Sequence, residues 1–300
     1  MVDGQARDSL MKTAFITGAT GALGRAVIAR LQKGGHWRVV ATSRHCDDES
    51  GLQLDVRNGD QLIMAIEQTE PDLILHLAAT FAPDFDEAYA VNVTAGRLLL
   101  SAAQRAGRRT RILLVGSAAE YGVVGPGESP IKEDRVLNPV SIYGLTKAWQ
   151  THLATLYASL GVDVVVARVF NLDGPRLGER LFVGRLQRQI EECLAGRRSM
   201  IELGPLSAIR DYVSIDEAVD QIFAIAARGK SGLVYHVASG KPIMVRDVLM
   251  RYLVMHNLDY SIVREASDFT NHIGYDVPEI YADVTSTMGL MTGEGICVAP

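Results

Sequence analysis

An eight-residue run, Thr17-Gly18-Ala19-Thr20-Gly21-Ala22-Leu23-Gly24, limits the folds open to this chain more than any other feature. It joins an apolar segment of strand length, Thr13 to Thr17, to a helix-period segment, Leu23 to Gln32. Gly18 permits a tight turn, Gly21 lets the backbone approach a ligand, and Gly24 allows close helix–strand packing. In a strand–loop–helix unit, this spacing aims helix-start amides at a pyrophosphate. Dinucleotide binding through Gly18, Thr20, Gly21, Ala22, Leu23 and Gly24 is therefore expected. Surface turns also use glycine, so the flanking pattern carries this reading.

That pattern continues along the first half. Val39 to Thr42 reads as a strand, Gln61 to Gln68 as a helix, and Leu73 to Leu77 as a strand. A helix over Asp86 to Ala106, a strand over Ile112 to Val115, a helix around Tyr143 to Leu160 and a strand over Val162 to Ala167 follow. Such alternation predicts an α/β fold with a doubly wound, Rossmann-like parallel sheet. After Phe170 the pattern changes. A loop, Asn171 to Glu179, precedes helices over Val183 to Ala195, Ile215 to Ala227 and Val245 to Leu253, with strands at Met200 to Leu203 and Leu233 to His236. The expected division is a flexible extension over 1–11, a dinucleotide-binding domain over 12–170, and a smaller C-terminal α/β substrate lobe over 171–300. Some segments of that lobe are expected to return to the main domain.

Three hundred residues, 48% of them hydrophobic, suffice for one large domain with an appendage. No run of 18 apolar residues exists, and Met1 to Ser9 lacks the apolar stretch of a secretory signal, so a cytoplasmic protein without membrane partners is expected. Cys46, Cys193 and Cys297 are scattered, which argues against a disulfide framework or a metal site. The net charge of −5 leaves no footprint for nucleic acid. The basic cluster from Arg105 to Arg111 reads as cations at a helix C-terminus.

Tyr143 and Lys147 are four residues apart, on one face of their expected helix. An ammonium beside a phenol favours the phenolate, so a group of pKa ~10 can carry a proton near neutral pH. A core tyrosine would give the same spacing. The pair follows a glycine loop and a strand-end serine, Ser117, and that order points to redox chemistry on a carbinol or ketone. Ser117 alone would as readily cap a turn.

About 20 residues past the loop, a carboxylate at the second strand's end would hold the adenosine ribose of NAD. The chain instead has Ala41-Thr42-Ser43-Arg44-His45, with no acid before Asp47. Ser43 and Arg44 suit a 2′-phosphate, so NADP is expected over NAD, which stays possible; a solvated surface arginine is the alternative. Leu54-Asp55-Val56 is expected to end a short strand, where Asp55 can accept a hydrogen bond from an adenine amino group. Leu77, Ala78 and Ala79 end the next strand, with small side chains that admit a cofactor or simply pack.

With these stretches, Val91-Asn92-Val93, Gly116 to Gly122, Tyr143 to Lys147, Phe170 to Pro175 and Arg210-Asp211-Tyr212-Val213, the chain resembles the extended short-chain dehydrogenase/reductases that act on nucleotide sugars. The resemblance to this NAD-dependent epimerase/dehydratase family runs from about Lys12 to Leu290. Asn171 through Gln189 is most similar to GDP-4-keto-6-deoxymannose reductases. The resemblance implies that Tyr143 exchanges a proton with a sugar oxygen and that Ser117 holds the same oxygen. Lys147 lowers the Tyr143 pKa and holds the nicotinamide ribose, while hydride passes to or from a sugar carbon, most often C4. Val56 and Phe170 fall among its cofactor contacts. Asn171 and Arg210 correspond to residues that hold the substrate diphosphate; turn chemistry at Asn171 and a surface ion pair of Arg210 with Asp211 are the plainer alternatives.

Departures narrow the reaction. Family members that dehydrate sugars carry acids where this chain has Ala118 and Ala119. Glu120 comes one place later, on the other face of a strand-like backbone. The Cys and His pair of 3,5-epimerases has no match. Reduction of a 4-keto nucleotide sugar with NADP(H), Tyr143 being the proton donor, is therefore expected. A 4-epimerase retaining NAD(P) is the alternative; a non-sugar carbonyl reductase or a non-catalytic NADP-binding sensor comes behind. The family's additional diphosphate arginine has no counterpart in Ser267 to Ala282, where Arg264 is nearest. The tail after Thr292 is short, with no closing helix expected. A homodimer through the helices over Asp86 to Ala106 and Tyr143 to Leu160 completes the expectations.

Overall fold

The structure, a computed structural model, describes residues 11–44, 51–107, 109–266 and 277–292. The expectations for Cys46, Asp47, Cys297, most of Ser267 to Ala282 and the tail after Thr292 lie outside the described residues. Six strands follow the alternation: β1 (Lys12–Thr17), β2 (Trp37–Ser43), β3 (Gly51–Gln53), β4 (Leu73–His76), β5 (Arg111–Ser117) and β6 (Val164–Val169). They are joined by α1 (Ala22–Gly34), α2 (Gly59–Thr69), α3 (Phe85–Tyr89), α4 (Ala95–Ala106) and α5 (Ile142–Ser159). With a later strand, β10 (Val234–Val237), they form a parallel sheet in the order β10-β6-β5-β4-β1-β2-β3.

The central strands β1, β4, β5 and β6 are buried on both faces, which is why they read as continuous apolar runs. Successive side chains alternate between two cores. Ala14, Ile16, Leu73, Leu75, Leu113 and Val165 meet Val27 and Leu31 of α1 and Ile222 and Phe223 of α7 (Ile215–Arg228). Phe15, Ile74, Ile112, Leu114 and Val164 meet Leu62 of α2 and Leu99 and Leu100 of α4. Strand order reverses between β1 and β4, and at such a switch point the C-terminal strand ends open a crevice.

Three local expectations change. The single helix over Asp86 to Ala106 is α3 and α4 joined by one wider, π-type turn, Ala90–Thr94. Buried Asn92 sits in that turn, its amide donating to Thr80 O and Thr146 Oγ1 at 3.0 Å each and its Oδ1 accepting from Thr80 N–H. Leu54-Asp55-Val56 lies just past β3 rather than ending it. Arg111 begins β5 instead of closing a helix. Its guanidinium pairs with Asp163 and donates to the carbonyls of Ala226 and Gly229, tying the foot of the sheet to the end of α7.

Past β6 come β7 (Asn171–Asp173), α6 (Phe182–Leu194), β8 (Ile201–Leu203) and β9 (Ile209–Ser214). After β10 follow β11 (Pro242–Met244), α8 (Val245–Met255), β12 (Val263–Glu265), β13 (Glu279–Ile280) and α9 (Thr285–Met291). β9 is the hub: β7 and β13 pair with it in parallel and β11 antiparallel, while β12 pairs with β8. β7, β9, β11, β12 and β13 have no counterpart among the expected elements, because strands this short, or interrupted by charged residues as β9 is, carry no clear period.

Candidate active site

The expected site residues gather along the C-terminal edge of the sheet. Gly18 to Gly24 follows β1, Ser43 and Arg44 end β2, Asp55 follows β3, Leu77 to Ala79 follow β4, Ser117 ends β5, and Phe170 and Asn171 follow β6. In the glycine loop, Gly18 has φ +73°, and a Cβ there would stand 2.7 Å from Ala78 N. A Cβ on Gly24 would meet Gly18 O at 2.3 Å, so α1 can start this close to β1 only without side chains. The first turn of α1 carries no acid and Gly21 provides no side-chain cap, so the helix itself does nothing to offset its positive end. Thr20 is exposed, its carbonyl bonded by Arg25, whereas Val56 and Phe170 pack in the core.

Ser117, Tyr143 and Lys147 converge. Gly144 makes this possible: a Cβ there would lie 2.4 Å from Ala119 O, so α5 rests directly on the turn that follows Ser117. The Ser117 side chain lies beside the Tyr143 phenol and favours its ionised form. Phe81 covers the phenol, its ring centroid 4.1 Å from that of Tyr143. Lys147 is 1% exposed and donates from Nζ to Gln150 Oε1. Burial pushes the Lys147 ammonium down to about 8, partly opposed by Glu120. The Tyr143 phenol is not depressed but pushed up to about 12 by burial, against the effect of Ser117. Desolvation and the Glu120 charge set this direction, and the Lys147 amine turns to Gln150. Beneath them, buried His76 is hydrogen-bonded through Nδ1 to Thr17 Oγ1 at 2.7 Å, and burial holds it down to about 3. His76 Nε2 and Gln150 Nε2 have no hydrogen-bond partner among the described residues.

Glu120 differs from its expected placement. Ala118–Glu120 is a 3₁₀ turn, not a strand, and Ser117 is its N-cap. The Glu120 carboxylate therefore folds back into the core. Its Oε1 accepts from Ser117 N–H at 2.7 Å, and its Oε2 accepts from Thr151 Oγ1 and the Arg168 guanidinium, both at 2.8 Å. Arg168, 1% exposed, also donates to Tyr121 Oη at 2.6 Å. Tyr121 is hydrogen-bonded to Nε2 of buried His236, whose Nδ1 donates to Asp283 O. Burial holds His236 down to about 4, hence neutral.

At the ends of β2 and β3, a cleft of about 450 Å³ is lined by Arg44, Gln53, Asp55, Arg57 and Gln61. The Arg57 guanidinium grips Asp55, with Nε 2.9 Å from Oδ2, and holds that carboxyl below the usual range. Asp55 thus already has a cationic partner where an adenine contact is expected. On the other side, Arg210 and Tyr212 share one face of β9, while Asp211 points the opposite way into the core. Asp211 is not in a surface pair with Arg210: it accepts from Ser239 N–H, Gly240 N–H and Ala282 N–H. The Asn171 amide donates to Asp211 O at 3.0 Å. Arg185 of α6, near Tyr212, was not singled out in the sequence; its Nε has no partner among the described residues, and burial lowers its pKa. Phe81 was not singled out either, while Asn92 and Glu120 were read only as part of a matching stretch and as an acid out of place, without the contacts they make here.

A family model described as the NAD dependent epimerase/dehydratase family matches residues 14–238. The chain is 26% identical to a GDP-6-deoxy-D-mannose reductase of Pseudomonas aeruginosa, over 65% of this chain and 66% of the reductase. It is 24% identical to a GDP-6-deoxy-D-talose 4-dehydrogenase of Aggregatibacter actinomycetemcomitans, over 92% of this chain and 90% of that one. Among solved structures, it superposes on MoeE5 in complex with UDP-glucose and NAD with a TM-score of 0.79 and 25% identity, covering 93% and 92% of the two chains. The structure of RMD from Pseudomonas aeruginosa complexed with NADPH gives a TM-score of 0.80 at 21% identity, covering 94% and 92%.

Proposed function

Because the chain belongs to the NAD dependent epimerase/dehydratase family and is an NAD(P)-dependent enzyme that modifies nucleotide sugars, we propose that it reduces a 4-keto nucleotide sugar with NADPH. The observation that carries this reading is the convergence of Ser117 on the Tyr143 phenol, with buried Lys147 one helical turn away.

The glycine loop fits a dinucleotide, since side chains on Gly18 or Gly24 would collide with neighbouring backbone and the first turn of α1 carries no acid of its own. Gly18 to Gly24 would hold the pyrophosphate, Lys147 the nicotinamide ribose, and Arg44 with Arg57 the 2′-phosphate. A bound nicotinamide supplies the reducing equivalent. The protein's own part is acid catalysis and orientation. Ser117 donates to the keto oxygen and fixes its position; Tyr143, held protonated by burial, delivers the proton as that oxygen becomes an alkoxide. Asn171 and Arg210 orient the diphosphate from the β7–β9 edge. Ala118 and Ala119 provide no acid for eliminating water.

The preference for NADPH rests on two arginines in the cleft at the β2 and β3 ends, with Asp55 already paired. A 4-epimerase that retains its cofactor is the second reading, supported by 28% identity to a UDP-glucose 4-epimerase of Mycolicibacterium smegmatis. A screen for NADPH oxidation against GDP-, dTDP- and UDP-linked 4-keto-6-deoxy sugars decides between them. Consumption of NADPH is expected. Interconversion of ordinary nucleotide hexoses without added cofactor would replace the reductase by the epimerase.

We also propose that two copies pair through α3, α4 and α5, where Tyr89 of α3 and Leu156 of α5 are exposed; sedimentation as a monomer would remove this.

A further inference from the structure

The Tyr–Ser–Lys centre uses neither Glu120 nor Arg168, yet both are buried side chains placed directly behind it. Glu120 reaches three elements at once. Its Oε1 completes a capping box with Ser117, so the backbone amide of that serine and the carboxylate three residues on hold each other. Its Oε2 takes Thr151, one turn beyond Lys147 on α5, and Arg168 on β6. A Cβ on Gly116 would stand 2.6 Å from Glu120 Oε1, so glycine before Ser117 leaves the carboxylate its room. The carboxylate is thus the common anchor for the end of β5, the middle of α5 and the end of β6.

We infer that Glu120 is a positioning residue for the Ser117–Tyr143–Lys147 centre: its carboxylate sets the backbone that presents Ser117 and supplies negative charge to Lys147. Of the groups around Lys147, Tyr143 lies on its own helix, His76 on β4, and Glu120 with Arg168 behind them; Glu120 is what raises the Lys147 pKa against burial. Glutamine cannot replace it. Its single oxygen can face Ser117 N–H or the Arg168 and Thr151 donors, and its NH₂ then confronts a donor on the other side.

This inference rests on the proposed reaction for its turnover readout only; a second readout is the pH dependence of NADPH binding without sugar. Glu120→Gln is expected to lower kcat ~10- to 100-fold while KM for NADPH at neutral pH moves less than about twofold. The alkaline limb of NADPH affinity is expected to shift to lower pH. Because Glu120→Gln strands the Arg168 charge and can unfold the chain, the double variant Glu120→Leu/Arg168→Met is measured beside it; paired apolar replacement restores buried pairs to stability. Recovery of thermal stability with kcat still depressed and the limb still shifted supports positioning. Recovery of stability together with wild-type turnover and limb overturns it, since Glu120 then serves only to neutralise Arg168. Wild-type kcat and limb in Glu120→Gln overturn it equally. A wild-type protein that binds NADPH but reduces no 4-keto nucleotide sugar sinks the proposed reaction instead, and the binding limb still decides the role of Glu120.

Discussion

The ring of Phe81 stands 4.1 Å from the ring of Tyr143, tilted by 31°, and it does so while 39% exposed. A solvent-facing aromatic thereby forms a wall over the phenol that delivers the proton. Aromatic pairs of this kind are worth about 0.5–1.5 kcal/mol beyond buried area. Phe81→Ala is expected to raise KM for the sugar several-fold with little loss of fold. An unchanged KM in steady-state kinetics would show that the ring does not border the substrate.

Tyr143→Phe keeps that stacking and removes only the hydroxyl. Turnover is expected to fall by ~10²–10⁴-fold with the thermal midpoint nearly unchanged. Full turnover in the variant would reject Tyr143 as the acid.

Lys147 carries its charge below about pH 8 and loses it above. Its hold on the nicotinamide ribose therefore weakens as pH rises, so the Kd for NADPH is expected to climb through pH 8 to 9. Lys147→Met should bind more weakly at pH 7 and show no such limb. A limb of the same size in the variant, by fluorescence titration, would assign the titration elsewhere.

Buried His236 predicts part of the acid behaviour of the fold. His236 is depressed to about 4 and an unfolded histidine titrates near 6.5, so the unfolded chain binds the extra proton between these values. Stability is present above about 6.5 and is lost as pH falls through 4, at a cost of about 3 kcal/mol from this group. His236→Gln removes the titration and should flatten the slope of urea-unfolding free energy over that window. A slope as steep as wild type would mean other groups carry it.

The Arg44 prediction separates the cofactors. Arg44→Ala is expected to weaken NADPH binding at least tenfold and leave NADH within about twofold. Equal losses for both would remove the 2′-phosphate from that cleft.

Where the chain was readable, burial made it so. Strands covered on both faces show as apolar runs, and Gly18, Gly24 and Gly144 stand where backbones approach too closely for any side chain. Arg210 and Asp211, by contrast, sit on a strand whose charged residues conceal it, and whose partners come from sequence positions far away. Glu120 was misplaced for a local reason: Ser117 caps a 3₁₀ turn, and a one-residue count on a strand then assigns the wrong face. The depressed phenol expected from Tyr143 and Lys147 failed because spacing says nothing about desolvation.

β9 draws its three neighbours from segments around 171, 242 and 279, with β10 returning to the main sheet in between. Specificity built on such a hub does not travel as a cassette. A chimera that imports the Arg210 strand from a relative, without the segments that pair with it, inherits the arginine and loses the ground it stands on.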